Sequence, residues 1–387
     1  MRAELPTLRH WQQQGATVAV ASVIATSHSA PRQPGAVLGL HPDGDVLGSV
    51  SGGCVEGAVV EVATQVLDSG VPQRLSYGVS DDEAFSVGLT CGGTIEVFVR
   101  AIERATVDFD DLATRLDRTE PVAVVTVIEH VAIPGMAGRC LVVTADGVRG
   151  DGGVLDDASL GGLDRAMVDE ARAMLATGAT GLRHLGARGE RRREDVTVFV
   201  ESFAPRPRLL IFGAVDFSAA LASMGRFLGY HVTVCDARAR FATSARFPDA
   251  DEVVVDWPHR FLARSEVDAR TAICVLTHDP KFDVPVLQEA LRTSAAYLGV
   301  MGSRRTHDDR LRRLREVGVA EHELARLHSP IGLDLGARTP AETAVSIAAE
   351  LVLDRHGGTG QPLRDTAGAI HRPFPPPPAL VEARRVS

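Results

Sequence analysis

From Pro205 onward, short continuous apolar runs alternate with amphipathic stretches. RLLIFG (208–213) is the first of these runs, the signature of a strand buried on both faces of a sheet. HVTVCD (231–236), EVVVDW (252–257), TAICVLT (271–277) and AYLGVM (296–301) repeat it, with helical patterns over about 217–228 and 284–293 between them. Strands joined through helices need right-handed crossovers and a parallel sheet, so this half is predicted to be a Rossmann-like, doubly wound α/β domain. A last helix is predicted from Thr339, where Pro340 and Glu342 complete an N-cap, first-turn proline and capping box, and Gly357 is a fitting stop. Its expected buried stripe is Ala344, Ile347, Leu351 and Val352.

The first half carries an internal echo. VAVASVI (18–24) matches VAVVTVI (122–128), and GAVLGLHPDG (35–44) matches GRCLVVTADG (138–147). VATQVLDSG (62–70) parallels ARAMLATG (171–178), and IEVFV (95–99) parallels VTVFV (196–200). Each copy reads strand, strand, Asp-Gly turn, helix, strand. The expectation is an α+β N-terminal domain over 1–204 built from a duplication, with copies at about 15–104 and 120–204. The Rossmann-like domain is expected over 205–358, followed by a proline-rich tail over 359–387 in which PFPPPP (373–378) is extended.

The copies differ at one place. The first inserts SVSGGCVEG (49–57) before its helix and LTCGG (89–93) before its last strand, whereas the second has GGVLDDAS and REDVT. Cysteines needed to pack the frame would have counterparts in both copies. Cys54 and Cys91 are therefore read as an addition to a scaffold.

Composition narrows the class. The 387 residues carry a formal net charge of −9, which offers no electrostatic footprint for nucleic acid or an anionic membrane surface. The opening MRAELPTLRHWQQQG lacks a signal-peptide core, and no run approaches the roughly 20 apolar residues of a membrane span. A cytoplasmic location is the expectation. The five cysteines (Cys54, Cys91, Cys140, Cys235 and Cys274) include no C-x-x-C pair, so zinc-ribbon and iron–sulfur patterns are absent. Cys235 and Cys274 sit in strand-like runs and are read as buried small hydrophobes.

Several constellations could carry chemistry. A dinucleotide turn would read G-x-G-x-x-G, but here Gly213 is followed by Ala214, Val215, Asp216 and Phe217. Val215 stands where backbone should approach pyrophosphate, and Asp216 brings negative charge there. Asp236, ending the second strand, is placed either for a ribose hydroxyl or simply to cap the strand end. Gly302, Ser303, Arg304 and Arg305 lead from the fifth strand into a helix. Arginines in a first helical turn oppose the macrodipole unless an anion binds with the free amides. His278 lies on the same carboxyl-end crest of the sheet, as a ligand or a turn residue.

In the first half, Gly52 and Gly53 precede Cys54, while Gly92 and Gly93 follow Cys91. Glycine admits positive φ and close approach of a bulky ligand. Three readings stay open for the two cysteines: a soft-metal or sulfur-handling site (molybdenum or sulfur contact at Cys54 and Cys91), a redox disulfide, or two unrelated thiols. Arg32, in the rigid SAPRQPG loop, offers a guanidinium to an anionic ligand.

On SAPRQPGA, GSVSGGCVEG, LTCGGTIEVFV, PRLLIFGA, VTVCDAR, LTHDP, YLGVMGSRRTHDDRL and SPIGLDLGARTPAETAVSIAAEL, the chain resembles the XdhC/CoxI family. These are the accessory proteins that mature xanthine dehydrogenase and related molybdenum hydroxylases. The resemblance implies a chaperone rather than a catalyst, with no catalytic residues. It would bind molybdenum cofactor as cargo, protect it during sulfuration and deliver it to a hydroxylase of the xanthine dehydrogenase or CO dehydrogenase type. A cysteine desulfurase and a second copy of the chain are further implied partners. The family commonly has G-A-G-H-V after the first Rossmann strand, and this chain departs from it, so NAD(P) binding is not expected. The segment 105–200 also looks longer than the family requires, as an extra repeat copy would explain. Two rival classes are an NAD-dependent oxidoreductase or hydroxylase subunit, and a docking scaffold that never touches cofactor.

Overall fold

In the computed structural model, residues 1–27, 30–78, 93–150, 153–155, 160–190 and 193–367 are described. They fall into two compact units that meet in sequence at Pro205 and Arg206.

The first unit contains two sheets of the same design. Helix α1 (Leu5–Gln13) precedes β1 (Val18–Ser27), β2 (Val37–Leu40) and β3 (Val46–Gly48). Helix α2 (Glu56–Ser69), β4 (Gln73–Tyr77) and β5 (Thr94–Ile102) complete the first copy. The second copy repeats the series with α3 (Phe109–Asp117), β6 (Val122–His130), β7 (Cys140–Thr144), β8 (Gly147–Gly150), β9 (Gly153–Leu155), α4 (Gly162–Thr177), β10 (Gly181–Leu185) and β11 (Val196–Phe203). The sheets run β3-β2-β1-β5-β4 and, read in the matching direction, β9-β8-β7-β6-β11-β10. The order is the same apart from the added edge strand β9. The repeated unit also starts one helix earlier than its strand pattern suggests. Helices α1 and α3 share one core through Leu8, Trp11, Phe109 and Leu112. The buried Gln12 side chain bridges them, donating to the Val107 carbonyl and accepting from the Phe109 amide, each at 2.9 Å.

The copies pack about an approximate two-fold. Ile24 and Phe98 of one meet Ile128 and Phe199, their counterparts in the other. A Cβ on Gly35 would lie 3.2 Å from Thr180, and one on Gly138, its counterpart, 2.7 Å from Pro72. Both glycines have positive φ, so close approach and backbone shape require glycine together.

The second unit is a parallel sheet with helices on both faces. Its strands are β12 (Arg208–Phe212), β13 (His231–Asp236), β14 (Glu252–Val255), β15 (Ala272–Val275), β16 (Tyr297–Val300) and β17 (Leu327–His328). They lie in the order β14-β13-β12-β15-β16-β17, reversing direction between β12 and β15 as a doubly wound sheet does. Helices α5 (Asp216–Phe227) and α10 (Pro340–His356) cover one face through Leu221, Ala222, Ala344, Ile347 and Leu351. Helices α6 (Pro258–Ala263), α7 (Pro280–Leu291), α8 (Arg304–Glu316) and α9 (Glu321–Leu324) cover the other. Thr339 caps α10 in a full capping box and Gly357 ends it in the left-handed conformation. Val352 does not join the buried stripe: it is 42% exposed, and Ala348 is buried instead. Cys235 and Cys274 are buried in β13 and β15, where burial pushes the Cys235 thiol up to about 12 and raises Cys274 as well. No helix among the described residues is long and apolar enough to cross a membrane.

Candidate functional site

The Cys54 loop is wound around one carboxylate. Glu56 opens α2, and its Oε1 accepts from the Ser49 hydroxyl at 2.6 Å and the Ser51 amide at 2.9 Å. Its Oε2 accepts from the Ser51 hydroxyl at 2.6 Å and the amides of Gly53 and Val55 at 2.8 and 3.2 Å. Burial alone would raise the Glu56 carboxyl, but these hydrogen bonds outweigh it and hold it at about 2. Gly52 and Gly53 are exposed, with φ of +79° and +116°, and among the described residues none beyond the chain neighbours comes within 4 Å of where a Cβ would stand. The loop therefore presents bare backbone to solvent directly before the half-buried Cys54. Cys54 packs on the same hydrophobic cluster as Ala30 and Ala36, which flank Arg32. The Arg32 side chain is exposed. Gly93 is buried just ahead of β5; Cys91 and Gly92 lie outside the described residues. Among those described, no group of three His, Cys, Asp or Glu side chains is arranged to hold a metal ion.

In the second unit, the turn after β12 is tied to the neighbouring strand ends. A Cβ on Gly213 (φ +114°) would lie 2.8 Å from Thr277, so the switch point between β12 and β15 requires glycine. Asp236 is buried, and its Oδ2 accepts from the Ala214 amide at 2.7 Å and from Arg238 at 2.8 Å. Its Oδ1 accepts from the Arg238 amide and Nε at 2.8 and 3.0 Å. Burial would raise this carboxyl; Arg238 and the two amides outweigh it and hold it below the usual range. The carboxylate is thus committed to the turn and to Arg238. Arg246 reaches the exposed Asp216 at 3.3 Å.

Along the same crest, Ser303 caps α8, its hydroxyl accepting from the Thr306 amide at 3.2 Å. Gly302 has φ +152°. Arg304 and Arg305 are exposed and make no ion pair with another described residue; of the two nearby acids, Asp309 is held by Arg312 and Arg313 and Asp308 is exposed. His278 is exposed at the end of β15. Beneath this surface lies a pair the sequence reading missed: Arg310 Nη2 meets Asp283 Oδ2 at 3.0 Å, both side chains nearly fully buried. Their signal was faint, since Arg310 is one of several arginines in α8 and Asp283 reads as an ordinary first-turn acid.

The geometry defines a two-unit chain: a duplicated α+β unit bearing an open Gly-Gly-Cys loop, followed by a doubly wound unit with a cationic helix start. A family model for the XdhC and CoxI family matches residues 11–78 and 115–186, and one for the XdhC Rossmann domain matches 209–351. Between them they account for most of the chain, which belongs to the XdhC and CoxI family. It is 26% identical over 339 residues to a probable xanthine dehydrogenase subunit of Bacillus subtilis, spanning 87% of this chain and 92% of the relative. It is also 26% identical to the molybdenum cofactor insertion chaperone PaoD of Escherichia coli, over 87% of this chain and 83% of the relative. A crystal structure of a xanthine dehydrogenase from Bacillus halodurans superposes with a TM-score of 0.63, covering 92% of this chain and 97% of that one. At 23% identity that likeness concerns the fold alone. The XdhC and CoxI family model matches one stretch in each copy, 11–78 and 115–186.

Proposed function

We propose that the protein binds molybdenum cofactor as cargo, supports its sulfuration and hands it to a xanthine dehydrogenase-type hydroxylase. The observation that carries this reading is the Gly52-Gly53-Cys54 loop, held open by Glu56 on a chain related along most of its length to a molybdenum cofactor insertion chaperone. A dithiolene-bound metal wants soft or thiol-handling neighbours, which Cys54 supplies and Cys91 is expected to supply. A terminal phosphate wants amides and guanidinium groups, which Gly302 to Arg305 offer. Asp236, His278 and Arg32 belong to the proposed cargo-binding set, Asp236 through its hold on the turn. A cysteine desulfurase and a second copy of the chain are proposed partners.

The test is retention of free molybdenum cofactor through gel filtration. The wild-type protein is expected to carry cofactor in its peak and the Cys54→Ser, Cys91→Ser double variant to lose it. A wild-type protein that retains none, yet still activates its hydroxylase, would establish the docking scaffold instead.

A further inference from the structure

One ion pair in the second unit ties together three strand ends. Arg310, from α8, donates through Nη2 to Asp283 Oδ2 at 3.0 Å and to the Met301 carbonyl at 2.9 Å. Its Nη1 reaches the Ser329 hydroxyl at 3.5 Å. Asp283, from α7, accepts in turn from the Thr277 hydroxyl through its other oxygen. Thr277, Met301 and Ser329 lie just beyond β15, β16 and β17. The side chains of Asp283 and Arg310 are 5% and 3% exposed. Above them lies the Gly302–Arg305 turn: a Cβ on Gly302 would stand 3.5 Å from Arg310 Nη1.

Stability alone does not account for the pair. Burying two charges costs about as much as their attraction returns, and apolar residues of similar volume often serve as well or better. Helices α7 and α8 are already packed by Val286, Leu287 and Leu314. A planar guanidinium fork does what that packing cannot, setting the direction of the Met301 carbonyl and so the conformation entering Gly302. The pair is neutral overall, so the positive charge at the α8 start is that of Arg304 and Arg305, which are exposed.

We propose that Arg310 and Asp283 are positioning residues, holding the Gly302–Arg305 turn in the shape that receives a phosphate group. The proposal rests on the anion reading of that turn given above. Its test uses the full chain, the Asp283→Leu, Arg310→Met double variant, and inorganic phosphate as probe. The double variant is expected to keep the wild-type unfolding midpoint. Amide exchange at residues 302–306 should rise about tenfold and phosphate affinity fall about tenfold, because the turn loses its support but the fold does not. Phosphate binding by the wild type together with unchanged exchange in the variant overturns the role of the pair alone. Absence of phosphate binding by the wild type overturns the anion reading itself, and with it the purpose assigned to the pair. Arg310→Lys, which keeps the charge but not the fork, gives the same exchange readout should the double variant fail to fold.

Discussion

At Glu56, five donors from the residues just before α2 converge on one carboxylate. This acid shapes the loop that presents Cys54. Removing it strands several amides, so Glu56→Ala is expected to lower stability by about 1–3 kcal/mol. The pH dependence follows from its carboxyl sitting at about 2, below the roughly 4.3 of an unfolded glutamate. A depressed folded value means stabilisation that is complete above the unfolded value and lost as the pH falls towards the folded one. Urea midpoints of wild type and Glu56→Ala should therefore differ fully near neutrality and converge towards about pH 2. A difference unaltered by acid would show that the charge is not what organises the loop.

Among elements, the β12 turn and the β17 end each make a testable statement. In the turn, the Ala214 amide already donates to Asp236, which Arg238 also occupies, and Val215 takes the place of the second glycine of a dinucleotide turn. Calorimetric titration with NAD and NADP is expected to detect no binding, and micromolar affinity for either would refute this account of the turn. At β17, His328 Nδ1 lies 3.4 Å from Glu350 of α10, whose carboxylate also accepts from the Tyr297 hydroxyl and from the Gly332 amide at 2.7 Å. Asp354 faces the other ring nitrogen at 3.9 Å. The hydrogen bond to Glu350 raises the His328 pKa against the opposing effect of burial. A raised folded value contributes stability that is complete below the unfolded histidine value of about 6.5 and is lost as the pH rises through the folded one. The melting temperature of the wild type relative to His328→Phe should therefore fall as the pH rises from about 6 to 8, and a difference unaltered by pH would refute this account of His328.

For the whole molecule, each hydrophobic cluster among the described residues falls within one unit: two in Arg206–Ala367, four in Met1–Pro205. A chain segment that owns its core is able to fold alone. The segment 206–367, expressed by itself, is expected to give a dispersed NMR spectrum and a cooperative melt. A molten segment would show that its sheet depends on the rest of the chain. In the first unit, the two copies cannot be parted the same way, because Ile24, Phe98, Ile128 and Phe199 bury against one another across the approximate two-fold.

Local periodicity and local chemistry by themselves determined a good deal. Continuous apolar runs announced β12, β13, β15 and β16, Thr339 announced its helix cap, and the echo between VAVASVI and VAVVTVI announced two copies of one design. These features depend on residues close in sequence, where the backbone period and the capping atoms are written directly. Tertiary structure alone decided the rest. The two residues of β17 are too few to show a period, and β4 and β10 become strands only because β5 and β11 offer them an edge. Val352 fits the apolar stripe of α10 but points to solvent, because burial depends on what packs against the helix. The same holds for chemistry: Asp236 turned onto Ala214 and Arg310 beneath Gly302 are relations set by packing in space. Residue types suggested the thiol loop and the cationic turn, and the Glu56 contacts that shape the first are local, whereas the Asp236–Ala214 and Arg310–Asp283 contacts join residues far apart in sequence that no spacing along the chain encodes.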